Sequence, residues 1–248
     1  MNKSNAFFDD FTMIARVMPA LTVAFPILLI ALLNGLLAAK WLEAGVGVSL
    51  ATIVVFYLSY IAREWGKSSE EKIYKKLGAM PTTIIMRFSD DKVDEVSKTQ
   101  CHKWFNDKGE QYLLPMSKKE ERADKQSDNK YTNAMKGLRV YANSHRDKFP
   151  RVYQELKKYN YWRNLYGCKK FAIVSYLILG IREVLVIDNF GLKDMVLCPF
   201  PKYAVLIGLT LWIVLYCLTV TRKTVERNAF DYAITLMETT YTMDFELS

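Results

Sequence analysis

The sequence predicts an all-α membrane protein: four transmembrane helices in two hairpins, with a mainly helical cytoplasmic domain inserted between spans 2 and 3. Three observations predict it. Charge is absent from Val17–Ala39, Ala44–Ala62 and Tyr203–Thr221, runs of 23, 19 and 19 residues, and about 20 apolar residues cross a hydrocarbon core of roughly 30 Å. The 51% hydrophobic and 24% charged residues are thus sorted into blocks, whereas a soluble single domain mixes them. The basic excess is confined as well. Residues 63–170 hold 25 Lys and Arg against 15 Asp and Glu, a net +10, and the rest holds 9 against 11, which gives the chain its +8. With 13% aromatics and only 11 Gly and 7 Pro, a disordered or collagen-like chain is excluded.

Residues 1–16 read as an interfacial leader, with Phe7, Phe8, Phe11, Met13 and Ile14 beside Asp9 and Asp10. The first apolar run has one early cation, Lys3, and exceeds the usual 7–15-residue core of a signal peptide, so it is expected to be retained. Residues 17–62 form transmembrane hairpin 1. Pro19 and Pro26 are tolerated where neighbouring helices satisfy the freed backbone groups, and Tyr57, Tyr60 and Trp65 supply an aromatic belt. Residues 171–221 form transmembrane hairpin 2. Its first member, the third span, is weak: Phe171–Ile181 is 11 uncharged residues, about 16 Å of helix, and reaching Ile187 means carrying Arg182 and Glu183. A re-entrant or flat-lying helix stays open there. Four spans put both termini and the 63–170 domain on one side, with Arg63, Lys67, Lys169, Lys170, Arg222, Lys223 and Arg227; three would put the last three cations outside, against the positive-inside rule.

Within 63–170, Ser68 with Glu71 and Ser117 with Glu120 fit capping boxes. Asp128 is expected to cap a helix with the apolar face Tyr131, Met135, Leu138 and Tyr141–Ala142. Pro150 opens another helix, carrying Val152, Leu156 and Tyr159, that leads toward the third span. Thr82-Thr83-Ile84-Ile85-Met86, β-branched and following Pro81, predicts one short strand. Lys118–Lys130 reads as a solvated helix face. Residues 222–248 form a cytoplasmic C-terminal helix with Val225, Ala229, Tyr232, Ala233 and Leu236 on one face.

Chemistry-bearing patterns are sparse. Cys101, Cys168, Cys198 and Cys217 have no C-x-x-C spacing, and neither His102 nor His145 sits in a ligand cluster, so no metal, cofactor or disulfide framework is expected. Asp91 with Glu95 and Glu120 with Asp124 place carboxylate pairs on one helix face, in the clusters Asp90–Glu95 and Glu120–Asp128. Helix-end and solvated-face roles account for them better than acid–base catalysis. No phosphate loop or nucleophile elbow appears. No catalytic residue is assigned, and the chain is not expected to be an enzyme. Lys157, Lys158, Tyr161, Trp162, Arg163, Lys169 and Lys170 interleave cations with aromatics just before the third span. The first reading is an anchor to anionic headgroups at about 1 kcal/mol per charge; a nucleic-acid, nucleotide or phospholipid ligand is the alternative. Asn34 in the first span and Arg182 and Glu183 in the third are the polar residues worth naming inside the bilayer, candidates for a pore lining or for bonds between helices.

The middle of the chain also resembles a family. Gly78-Ala79-Met80-Pro81-Thr82-Thr83, Leu114-Pro115 followed by Glu120, Asp124 and Tyr131, Phe149-Pro150, and Tyr159-Asn160-Tyr161-Trp162-Arg163-Asn164-Leu165 with Gly167 are similar to an uncharacterised family of four-span bacterial inner-membrane proteins with a cytoplasmic insert. The family's Tyr-Gly-Phe-Arg-Arg-Asn pattern lacks its Gly and first Arg here. The resemblance covers roughly residues 60–170 and the span layout. It implies the bacterial inner membrane with both termini cytoplasmic, and an association with anti-phage defence. The expected function is therefore an oligomeric inner-membrane effector or channel-like protein whose cytoplasmic domain senses a signal or a protein partner. The alternative is a membrane-anchored module that binds nucleic acid, a nucleotide or a protein.

Overall fold

Helix without strand is what the computed structural model shows over the residues it describes, 10–37, 41–110, 112–188 and 200–247. The side chains of 32–37, 41–51, 186–188, 200–202 and 244–247 lie outside that description. The elements are α1 (Asp10–Thr12), a π-turn (Met13–Val17), α2 (Met18–Leu37), α3 (Trp41–Leu77), α4 (Pro81–Ile84), α5 (Glu95–Asp107), α6 (Lys118–Ala123), α7 (Ser127–Ser144), α8 (Pro150–Gly167), α9 (Lys169–Asp188), α10 (Phe200–Thr219) and α11 (Arg222–Leu247). They divide into two units, Met1–Ser69 with Asn160–Thr224, and Glu70–Tyr159 with Val225–Ser248. The divisions fall inside α3, α8 and α11 rather than in loops.

In the first unit α2, the leading part of α3, the end of α8, α9 and α10 pack around Val17, Ala20, Val23, Ala24, Val55, Leu58, Ala62, Leu165, Cys168, Ala172, Tyr176, Leu209, Tyr216 and Val220. Small residues recur one turn apart in this seam, as Ala20 with Ala24, Ala62 with Gly66, and Cys168 with Ala172. That pattern lets helix backbones approach closely. At one point α3 and α8 come into close backbone contact. A Cβ added to Gly167 would lie 2.4 Å from the Gly66 nitrogen, and one added to Gly66 would lie 2.4 Å from the Asn164 side-chain oxygen.

Polar bonds tie the remaining helices. Tyr176 donates to the Val23 carbonyl at 2.8 Å and Tyr216 to the Leu165 carbonyl at 2.9 Å. Between α10 and α11 the chain breaks at Val220–Thr221, with a bend of 48°. Carbonyls freed at a helix end need donors, and Lys169 supplies them to Cys217 and Val220 at 3.1 and 2.6 Å. Thr221 caps the new helix by accepting from the Thr224 N–H at 3.1 Å.

Two features of membrane geometry can be read directly. Among the described residues one helix, Asp10–Ala31, is long and apolar enough to cross a membrane, and the bent pair Tyr203–Thr219 with Arg222–Met243 passes the same test jointly. The weak third run is nevertheless one continuous helix, α9, about 30 Å long at 1.5 Å per residue.

Three local expectations are corrected, two of them in the second unit. Residues 81–84 form a helical turn and no strand: Pro81 occupies the first helical position, and the N–H groups of Ile84 and Ile85 bond to Met80 and Pro81 at 3.0 and 3.1 Å. A strand needs a partner ladder, and packing against α7, with Thr83 and Thr132 hydroxyls 2.9 Å apart, overrides the β propensity. Ser68 starts nothing, because α3 runs through it until Gly78 takes φ +87, the left-handed helix stop that favours glycine. Asp128 lies inside the first turn of α7 and takes the Arg87 guanidinium through both oxygens, at 2.8 and 2.6 Å. Other expectations hold. Ser117 caps α6 by accepting from the Glu120 N–H, and Pro150 opens α8. Tyr131, Met135, Leu138 and Ala142 are buried, as are Val225, Ala229, Tyr232, Ala233 and Leu236.

The backbone contact between α3 and α8 makes a prediction. Gly167→Ala should lower the melting point of the detergent-solubilised chain by an amount equivalent to about 1–3 kcal/mol, the usual cost of overpacking. Gly208→Ala, with nothing within 4 Å of the added Cβ, should leave it unchanged or slightly raised. Equal melting points for both variants and the parent would contradict the close approach.

Candidate functional site

Glycine at 66 and 167 has a chemical consequence: it draws cations from three parts of the first unit around one cavity. This cavity of about 160 Å³ is lined by Phe11, Ala15, Arg16, Arg63, Lys67, Asn160, Arg163 and Asn164. Arg16 comes from the π-turn, an irregularity frequent at functional sites. Arg63 and Lys67 stand one turn apart on α3, and Arg163 stands on α8 between Asn160 and Asn164. Arg163 is only 9% exposed. Its Nε and Nη2 donate to the Asn164 oxygen at 3.2 and 3.1 Å, and Asn164 donates to the Ala15 carbonyl at 2.6 Å. The guanidinium is thereby held by an amide that is itself fixed to the π-turn. Among the described residues that line the cavity none is a carboxylate. Glu64 reaches two of the cations from outside, 3.2 Å from Arg63 and 3.1 Å from Lys67.

The seven sequence-singled residues before the third run do not form one surface, because successive positions on a helix point to different sides. Arg163 joins the cavity. Lys169 holds the carbonyls at the α10 end. Tyr161 and Trp162 pack against the core of the first unit, and Lys170 is exposed. In the second unit, Lys157 is buried with its ammonium 4.9 Å from the Tyr153 ring centre, and Lys158 pairs with Glu155 at 3.4 Å. Sequence reasoning missed Arg16, Arg63, Lys67, Asn160 and Asn164 as members of one site. The available signal was Asn160 and Asn164 one turn apart beside Arg163, facing a Gly66 that cannot be seen to touch them without the tertiary structure.

Arg182 and Glu183 form an ion pair on α9, the arginine side chain 52% exposed and the glutamate 8%. Ile178, Ile181 and Leu185 on the same helix, Ile53 and Tyr57 on α3, and Leu218 on α10 are all more than half exposed. Asn34 belongs to α2, but its side chain and the whole of Cys198 lie outside the described residues.

The acidic clusters are absorbed into architecture. Asp94 caps α5 by accepting from the Ser97 N–H at 2.8 Å, and Glu120 accepts from the Met116 N–H at 2.8 Å. Asp124 meets Lys130 at 2.8 Å, and that bond holds its carboxyl below the usual range. Glu121 accepts from the N–H groups of Phe88 and Ser89 at 2.6 and 3.2 Å and from the Tyr131 hydroxyl at 3.0 Å. Cys101 and His102 are both fully buried but do not face each other. The thiol lies 3.9 Å from the Met86 sulfur and is pushed up to about 12 by burial, which leaves it an inert thiol rather than a nucleophile. The His102 ring packs between Phe88 and Tyr131, and its Nδ1 is 2.5 Å from the Pro115 carbonyl, so Nδ1 carries the proton. Among the described residues no group of three or more His, Cys, Asp or Glu could hold a metal ion.

The fold and site define an all-α chain with at least one helix able to cross a membrane and a basic cavity in the unit that contains it. No family model, curated protein or solved structure matches the chain.

Two measurements test the second unit. Burial lowers the His102 pKa from 6.5. The unfolded chain therefore gains a proton first on acidification, so stability is retained above that value and falls as pH drops through it. Melting points should fall between about pH 7.5 and about pH 5.5, and His102→Gln should flatten the slope; an unchanged slope would refute the assignment. Glu121→Ala, which strands two backbone donors and a tyrosine hydroxyl, should cost about 2 kcal/mol in chemical denaturation.

Proposed function

We propose that the chain is an oligomeric inner-membrane effector with four membrane-crossing helices. In this reading the unit built from 70–159 and the C-terminal helix lies in the cytoplasm, senses a signal or protein partner, and changes the state of the spans. The observation that carries the proposal is the apolar surface of the first unit. Ile53 at 65%, Tyr57 at 67% and Leu218 at 70% exposure stand among many similar residues. Soluble monomers rarely expose contiguous apolar patches beyond a few hundred Å², whereas lipid is a favourable neighbour for such side chains. The small-residue seam and the tyrosine-to-carbonyl bonds support the same reading, since helices in lipid associate through packing and hydrogen bonds rather than through apolar burial.

The chain passes between its units within helices, which supports direct transmission: a helix has no slack loop in which a movement can be lost. The interior of the first unit is filled by Tyr176, Tyr216 and the aliphatic residues around them, so an aqueous path is one built between copies. The Arg182–Glu183 pair, its arginine half exposed and its glutamate buried, fits a place at such a contact, because ionisable groups at membrane depth usually face a bundle interior or water. The resemblance over residues 60–170 supplies the setting, anti-phage defence.

Topology is the first test. The full chain should stay in the membrane fraction after an alkaline wash, and a single cysteine introduced at Lys119 should react only with reagents that reach the cytoplasm. Labelling of position 119 from the periplasm, or a chain soluble without detergent, would refute the proposal. In liposomes, cross-linking should trap oligomers of the parent, and Arg182→Leu should reduce both cross-linking and solute release while leaving insertion intact.

A further inference from the structure

We infer that the groove between α2 and α10 holds the acyl chain of a membrane lipid as a bound ligand. Its origin lies in three residues of low bulk. Ala204 and Gly208 stand one turn apart on α10, and Pro26, inside α2, contributes only a compact ring, so the two helices meet without filling the space between them. The cavity left there is about 460 Å³, within the roughly 300–1,000 Å³ of ligand sites. A Cβ added to Gly208 would meet nothing within 4 Å. Phe25 and Leu29 on the α2 wall are 48% and 42% exposed, so the groove opens on the outer surface of the unit. The Trp212 ring lies 5.2 Å from that of Phe25 and ties the two walls together. Both walls belong to the apolar segments noted above, Asp10–Ala31 by itself and Tyr203–Thr219 jointly with α11.

Lining and dimensions select the occupant. The nine described residues that line the groove are all apolar or glycine. Water held in such a space needs about 2–4 polar partners, which this lining is poor in, so an apolar occupant is favoured. Along α10 the lining runs from Ala204 to Trp212, about 12 Å at 1.5 Å per residue. The volume spread over that length gives a cross-section of about 40 Å², about half or less of that of a helix, which is ~10–12 Å across with its side chains. A second copy is a poor fit for another reason: nine residues are far fewer than the roughly 20–30 a side of a stable protein interface. A single hydrocarbon chain matches in width, in polarity and in its direction of entry. Such a chain touches α2 and α10 at once, whereas a chain against an exposed helix face touches one helix. The added dispersion contacts hold it longer than its neighbours in the bilayer. By bridging the two helices it also biases how they pack.

The inference rests on the membrane reading above. The test uses the full-length chain, purified in an uncharged detergent and washed free of bulk lipid. Phosphatidylcholine added back should raise its melting point in a saturable way. In Gly208→Leu and in Ala204→Leu, each of which puts a larger side chain into the lining, the lipid concentration giving half of that rise should increase by roughly tenfold. Either variant alone suffices where the other folds poorly. Leu211→Phe adds bulk at an exposed position outside the lining and should respond as the parent does. No rise in the parent, a parental response in the groove variants, or an equal loss in Leu211→Phe overturns the inference. Loss of cross-linked oligomers in the groove variants with the lipid response intact overturns it too, and assigns the groove to a second copy. A failed membrane reading would show separately, as a chain that stays dissolved without detergent.

Discussion

The central constraint in this protein is the crossing of α3 and α8 at Gly66 and Gly167, where backbone meets backbone with no room for a single methyl group. Two results follow from that distance. The helices are near enough for Asn164 to reach the π-turn at Ala15 while holding Arg163, and Arg63 and Lys67, on the same stretch of α3, are brought to the same cavity. Wider spacing would leave these cations separate and solvated. Packing and charge are thus one problem here, solved by two residues without side chains.

The two units differ in what they leave at their surfaces. In the second, Tyr131, Phe105, Met135 and Leu236 are buried and exposed large apolar residues are scattered, as expected where burial drives folding. In the first, Leu165, Tyr176 and Tyr216 are buried too, yet many large apolar residues, Ile53, Tyr57 and Leu218 among them, are exposed. The helices are joined by close packing and by hydroxyls donated to carbonyls, Tyr176 to Val23 and Tyr216 to Leu165. That difference in exposed apolar surface is the physical core of the functional reading.

Charged residues were informative in sequence by number and misleading by position. Lys157 through Lys170 looked like one basic and aromatic strip, yet helix geometry sends Lys157 over the Tyr153 ring, Lys169 to the α10 carbonyls and Arg163 to the cavity. The acidic clusters divided in the same way. Asp94 and Glu120 serve local backbone donors, as capping logic anticipates, while Glu121 and Asp128 hold segments more than thirty residues away.

What the sequence determined was the helical character, the apolar runs, the net charge of the middle segment and the faces that become buried on α7 and α11. Each depends on composition and on a period of 3.6, which are local properties. Only the tertiary structure decided that Thr82–Met86 abandons its β preference for a turn against α7, that α3 continues through Ser68, and that Arg16, Arg63, Lys67 and Arg163 share a cavity. These outcomes depend on pairs far apart in the chain. Gly66 and Gly167 carry no pattern that announces their contact, because a missing side chain leaves no periodic signal to read.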